Sequence, residues 1–275
     1  MSLPRGVTIP LSPARRFVCD LMHASRQVPL VAVERALQIG DLIDARSELD
    51  SRPSWFAVFL KAYAIVAQER PPLRRSYLSF PWARLHQHQC NVGSLMIARR
   101  IGDEDAILSF QIRHPETLSL AEIDRRIRRA RTEPIESISD FRRIFRMSRL
   151  PTLLRRLTWM FGLRTSGDWR ARYGGTFGLT GVAALGATSL NLLSPLTTTL
   201  TYGVFNAKGS VVARLFYDHR VLDGVEPAGA LQDLEKVLLG PILDEMSRLI
   251  VVERESRLGL ADDPKALHGK VGLRS

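Results

Sequence analysis

Apolar and polar positions along the chain fall into stretches of clearly different period. Residues 1–11 show no period and read as an extended arm. Ser12 then precedes Pro13, a serine N-cap with proline at the first helical position. Phe17, Val18, Leu21 and Met22 follow at helical spacing, and Pro29 closes that helix. Leu30 to Ala36 alternates and is rich in β-branched residues, so it reads as a strand. Ile39 to Leu49 is a second helix. Ser54 to Gln68 is a third, apolar on most sides and therefore buried, and Pro71-Pro72 stops it. Leu85 to Arg99 reads as one or two strands, Ala106 to Ile112 as another, and Ser119 to Ala130 as a helix. Ser119 with Glu122 three positions on makes a capping box.

The second half continues the alternation of types. Residues 133–172 hold two basic helical patterns, the second of which, Leu150 to Phe161, has a bulky apolar side. Gly174-Gly175 opens a short strand. Thr197 to Phe205 and Ser210 to Phe216 form a hairpin through residues 206–209. A last helix runs from Val225 to about Ile250, with a break at Gly240-Pro241. Residues 255–275 turn polar and read as a mobile tail. The main body is one domain over 12–254.

Composition removes several function classes. The 275 residues are 45% hydrophobic and 24% charged, ordinary for a globular protein. No apolar run reaches the roughly 18 residues a spanning helix needs, and the first residues lack a signal-peptide core. Cys19 and Cys90 show no metal-like pairing, which suits a reducing, cytoplasmic setting. The net charge of +11 fits nucleic acid, an acidic membrane surface or an anionic cofactor, and equally a solvated basic face. No finger, helix-turn-helix or RNP-like pattern accompanies it, so no specific nucleic-acid partner is expected. His86, His88 and Cys90 alternate, but no fourth ligand completes a metal set. The expectation is an edge strand with these polar residues outward, and no metal. Tryptophan, phenylalanine and arginine within 148–164 suit a membrane surface, an active-site lid or a subunit contact.

The chemistry concentrates in Tyr217-Asp218-His219-Arg220-Val221-Leu222-Asp223-Gly224, which joins a strand to the closing helix. A histidine at a strand end can be held rigidly and still face a cavity, a suitable place for a general base. This stretch resembles the His-x-x-x-Asp-Gly signature of the dihydrolipoamide acyltransferase catalytic domains of 2-oxo acid dehydrogenase complexes. Other features agree: the Ser12-Pro13 helix opening with Arg15 and Arg16, Asn91-Val92-Gly93, Leu118 to Ile123, Gly174 to Thr180, and Pro195. Arg74 stands where asparagine is common in the family, residues 133–172 exceed its usual short helix and loop, and Gly178 and Gly181 replace bulkier residues.

The resemblance spans residues 11–250 and implies an α+β sandwich of the chloramphenicol acetyltransferase type, with a mixed sheet flanked by helices. It implies a homotrimer with active sites between subunits, His219 coming from one and Thr180 from its neighbour. His219 would be the base and Thr180 the oxyanion donor. Asp223 would brace the histidine turn through a salt bridge to Arg15, and Gly224 would let that turn enter the helix without a Cβ clash. The implied activity is transfer of an acyl group between a CoA thioester and a thiol, hydroxyl or amine. Acyl-CoA is the substrate, no lipoyl group is attached, and a separate lipoylated or carrier protein is a possible acceptor. A stand-alone catalytic unit is expected. A non-catalytic oligomeric scaffold of the same fold is the alternative, against which the intact His219, Asp223 and Thr180 argue.

Overall fold

The computed structural model describes residues 6–181 and 183–257. The tail expected over 255–275 falls mostly outside them, and its first three residues continue the last helix. The elements in order are α1 (Pro13–Ser25), β1 (Leu30–Gln38), α2 (Gly40–Glu48), α3 (Trp55–Glu69), β2 (Arg75–Leu78), β3 (Arg84–Gln87), β4 (Val92–Ile101) and β5 (Glu104–Arg113). Then come α4 (Leu120–Thr132), α5 (Ser139–Ser148), α6 (Thr152–Thr165), α7 (Gly167–Tyr173), β6 (Phe177–Thr180), β7 (Thr198–Tyr202), β8 (Ser210–Asp218), α8 (Val225–Val237) and α9 (Leu243–Arg257).

Local chemistry explains the helix ends. The Ser12 hydroxyl accepts the Arg15 N–H at 3.0 Å, as the serine–proline start predicts. Ser54 and Ser119 cap α3 and α4 in the same way. The capping box at Ser119 is half made, because the Glu122 carboxylate turns to Arg125 and Arg126 instead of reaching back. A π-helical segment at 238–242, holding Gly240 and Pro241, separates α8 from α9.

Among the described residues six strands form one mixed sheet in the order β1-β8-β7-β6-β4-β5. The central pairs β4–β6 and β6–β7 are parallel and the outer ones antiparallel. The sheet has two different faces. Leu95, Leu108, Phe177, Leu200 and Leu215 point to one, where α3, α4 and α8 pack. Helix α3 is buried on nearly all sides, and Phe59 stacks on Tyr202 with ring centroids 4.4 Å apart. The other face is covered only in part. Helices α1, α5, α6 and α7 roof the β4–β5–β6 half. The β8–β1 half carries Ala32, Glu34 and Ala36 opposite Phe216, Arg214 and Val212, with Val212 exposed. An α+β layered fold with a mixed sheet flanked by helices is what the resemblance implied.

The segment 133–172 differs from its expectation by one element, the short helix α7 after the two basic helices. Glycines seat it. A Cβ at Gly162 would overlap the Trp169 ring, and one at Gly167 would overlap the His86 ring. Polar anchors hold it as well. Arg155 of α6 pairs with Asp20 of α1 at 2.6 Å, both sides buried. Arg170 of α7 is buried and donates to the carbonyls of Tyr77, Leu163 and Pro195. Burial pushes its guanidinium down to about 10, with Asp218 opposing that shift.

The β2–β3 ribbon corrects one expectation. It is a separate two-stranded unit, and its polar residues turn inward while Leu85 is exposed. His88 is buried and lies 2.8 Å from the Ser76 hydroxyl, which supplies the partner its ring needs. Burial first, then the neighbouring His86 and Arg170, push its imidazole down to about 4. Among the described residues no cluster of histidine, cysteine, aspartate or glutamate is arranged to hold a metal.

Candidate active site

His219 follows the last residue of β8, where its N–H donates to the Pro29 carbonyl at 3.1 Å. Its side chain is half exposed. Nδ1 lies 3.7 Å from the Asp223 carboxylate, too long for a hydrogen bond but near enough to orient the ring electrostatically. The turn is braced from below by a pair that sequence reasoning passed over. Asp218 is fully buried and accepts from the Arg220 backbone N–H at 3.0 Å, from Nε at 2.9 Å and from Nη2 at 2.7 Å. The Arg220 guanidinium lies 4.5 Å over the Tyr77 ring, and Nη1 reaches the Gln27 carbonyl. A signal for this was present: an acid and an arginine flank His219 two residues apart, the spacing that puts both on one side of a strand end.

Two assigned supports behave differently from expectation. Arg15 pairs with Glu104 at 3.3 Å, while Asp223 is 92% exposed, so the Arg15–Asp223 bridge is not formed in the chain. Arg15 lies in the first turn of α1, close to the β4–β5 turn, and finds its carboxylate there. Gly224 is also ordinary. Its backbone is right-handed helical, and a Cβ there would meet only the Tyr217 hydroxyl at 3.5 Å. A glycine near the site that the backbone does require is Gly175, with φ of 94° and the Ser94 Cβ and Val92 carbonyl each 2.9 Å from a built Cβ.

Thr180 ends β6 on the partly roofed face of the sheet, beside Gly178. The strand register separates it from His219. Thr180 is level with Thr201 on β7, and Thr201 with Arg214 on β8. His219 lies five residues beyond Arg214, which is roughly 16 Å along the strand, and β8 is two strands from β6, roughly 10 Å across. One chain therefore does not bring the two groups together.

Two cavities flank these elements. One of about 280 Å³ lies between the roofed half-sheet and helices α1, α5, α6 and α7, with Thr180 at its margin. The second, of about 410 Å³, lies beside the histidine turn. Its wall holds Arg156, Arg164, Arg170 and Arg220 with His23, and no carboxylate. Anions are favoured there. On the outer side of α6, Leu153, Leu154 and Phe161 are exposed, and Phe80 lies beside Phe161. No described helix is long and apolar enough to cross a membrane.

No protein-family model and no curated protein sequence matches this chain. Solved structures do resemble it. The dihydrolipoamide acetyltransferase of Azotobacter vinelandii superposes with a TM-score of 0.63 at 16% identity, over 86% of this chain and 92% of that one. That structure concerns the roles of a serine, a histidine and an asparagine in catalysis. A probable dihydrolipoamide acetyltransferase from Listeria monocytogenes gives 0.60 at 19% identity, over 85% and 94%. The truncated catalytic core of a 2-oxoacid dehydrogenase complex from Thermoplasma acidophilum gives 0.60 at 17%, over 86% and 99%. At these identities the likeness establishes the fold, which is that of the acyltransferase catalytic cores.

Proposed function

We propose that this fold serves here as a CoA-dependent acyltransferase whose sites are completed between subunits. The observation that carries the reading is the placement of His219 and Thr180. Both stand where a catalytic role needs them, a half-exposed strand-end histidine and a strand-end threonine beside a cavity, yet they lie at opposite ends of one sheet. A symmetric homotrimer joins one end to the other, because each interface then presents two different surfaces to each other. Ala32, Glu34, Ala36 and Val212, exposed on the β1 edge of the sheet, offer a surface for that contact.

The chemistry follows from the two groups. His219 Nε2, the nitrogen turned away from Asp223, takes the proton of the acceptor thiol, hydroxyl or amine. The acceptor attacks the thioester carbonyl and forms a tetrahedral intermediate. The neighbouring subunit's Thr180 donates to its oxyanion. Collapse breaks the carbon–sulfur bond, and the leaving CoA thiolate recovers the proton from His219. The Azotobacter enzyme, with its serine, histidine and asparagine, supports the assignment of Thr180, His219 and Asp223 to corresponding places. The arginine-lined cavity beside the histidine turn suits the phosphates of CoA. A lipoyl group on a separate protein is one acceptor compatible with this reading.

The test is release of CoA thiol from a panel of acyl-CoAs with dithiol and amine acceptors. Release by the wild-type chain, abolished in His219→Ala, is expected. Release at the wild-type rate by His219→Ala would overturn the assignment. A second reading, peripheral docking on anionic lipid through 148–164, is favoured by the exposed Leu153, Leu154 and Phe161 flanked by Arg149 and Arg156. Sedimentation with anionic liposomes, comparing wild type with Leu153→Ser/Phe161→Ser, separates it: equal binding by both would remove it.

A further inference from the structure

We infer that the cavity roofed by α1 and α5–α7 is an acyl-chain pocket. Its occupant is a straight hydrocarbon chain of about eight to ten carbons whose carbonyl end lies at Thr180. The inference rests on the acyl-transfer reading above and names the substrate class for it.

Position is the first argument. Thr180 and Gly178 form one margin of the cavity, so a carbonyl held at the Thr180 hydroxyl directs its chain inward. Size is the second. An apolar cavity of about 150 Å³ holds a benzene ring, so 280 Å³ takes roughly eleven carbons at the same density. A chain packs less fully than a ring, which brings the figure to about eight to ten.

The wall decides between hydrocarbon and polar cargo. Its bulk is Phe17, Leu21, Met22, Met96, Ile144 and Trp159. The methionines among them adapt their shape to a flexible chain. Four of the hydroxyls in the wall are already partnered, and those of Ser148, Tyr173 and Thr180 are neutral. Ser94 and Ser109 bond each other at 2.9 Å, and Thr199 donates to Ser194 at 2.8 Å. The two charged groups at the rim are also paired, Asp20 with Arg155 and Arg143 with Asp140. Among the described residues no lining side-chain nitrogen or oxygen is both fully enclosed and without a partner. A carboxylated acyl group would be desolvated there with no free cation to receive it, which disfavours it strongly. A hydrocarbon chain gains roughly fourfold in affinity for each buried methylene.

The roof belongs to α5–α7, the part of the chain in which it exceeds its expected pattern. Ile144, Met147, Trp159 and Trp169 all come from that segment. Trp159 and Trp169 also give the pocket a built-in reporter.

The experiment has two readouts on the full chain, tryptophan emission during titration with octanoate, and thiol release from acetyl-, octanoyl- and hexadecanoyl-CoA. Expected are an emission shift with octanoate and a kcat/KM for octanoyl-CoA at least about tenfold above that for acetyl-CoA, as burial of six further methylenes allows. Met147→Phe narrows the cavity without adding a tryptophan. It should remove the shift and lower octanoyl transfer at least about tenfold, with folding followed separately by circular dichroism. Ile144→Ala enlarges the cavity and should move the preference toward longer chains. Equal kcat/KM for acetyl- and octanoyl-CoA, with no emission shift, overturns the pocket and leaves acyl transfer standing. An octanoate shift abolished by Met147→Phe, with no thiol released from any acyl-CoA, upholds the hydrocarbon pocket and overturns acyl transfer. Neither shift nor turnover overturns both.

Discussion

Mixing two inactive variants tests the division of the site between subunits. In the proposed mechanism Thr180→Ala removes the oxyanion donor and His219→Ala the base. Each alone gives an assembly in which every site lacks one group. Losses of about 10²–10³ and about 10²–10⁴ in rate are expected. After subunit exchange at equal amounts, a site is complete when the histidine comes from a Thr180→Ala protomer and the threonine from a His219→Ala neighbour. Each choice occurs one time in two, so about a quarter of the sites are whole in a closed ring. Activity should therefore rise from about 1% or less in either variant to about 25% of wild type. The basis is the register, which puts Thr180 level with Arg214 and His219 five residues beyond it. A thioester carbonyl and its attacking atom must sit within about 3 Å of both groups, far less than the separation in one chain. The assay is thiol release before and after exchange in mild denaturant, with mass followed by light scattering. If the mixture remains at the average of the two variants while exchange is complete, both groups serve from the same chain and the reasoning fails.

Four other outcomes follow from the structure. Gly175→Ala should destabilise the fold by at least about 1–3 kcal/mol in urea unfolding, since φ there is 94° and a Cβ would lie 2.9 Å from the Val92 carbonyl. Gly224→Ala should leave stability unchanged or raise it by up to about 1 kcal/mol, because its backbone is already helical. Asp20→Ala should cost about 3–5 kcal/mol by leaving Arg155 buried and alone, and the double change Asp20→Leu/Arg155→Met should recover most of that. His88 titrates at about 4 in the fold against 6.5 unfolded, so the unfolded chain binds the extra proton and stability falls as pH drops through that window. The loss is roughly 2 kcal/mol by pH 5, and His88→Asn should lack that component when unfolding midpoints are compared at pH 7 and pH 5.

Elements with a strong local signal were legible from residues alone. Ser12-Pro13 marks the start of α1, the uniformly apolar run marks α3 as buried, and Gly240-Pro241 marks the interruption before α9. The loop at 206–209 places the β7–β8 hairpin. Less legible were features settled by partners distant in sequence. Alternation in residues 84–90 is equally consistent with either face outward, and only Ser76 and Gly167 decide that His88 and His86 turn in. Arg15 had two carboxylates within chemical reason, and the fold places Glu104 beside it. Of the site, His219 and Thr180 stand out by position, whereas the Asp218–Arg220 brace and the buried Arg170 depend on β2, α7 and Pro195, three residues before β7, meeting.

The parallel pairing of β4 with β6 has a further consequence. Gly93 finds Phe177 across a stretch of chain that contains all of α5–α7. The entropy of closing such a loop grows only with the logarithm of its length, so including those helices adds roughly half a kcal/mol to the closure. Packing of Trp159 of the roof against Phe17 of α1 outweighs that. A lineage carrying this sheet can lengthen, shorten or replace the roof between two neighbouring strands with almost no penalty to folding. Change in the roof is thereby uncoupled from change in the scaffold: the sheet keeps its register, and the intervening segment is the part in which new surfaces can be tried.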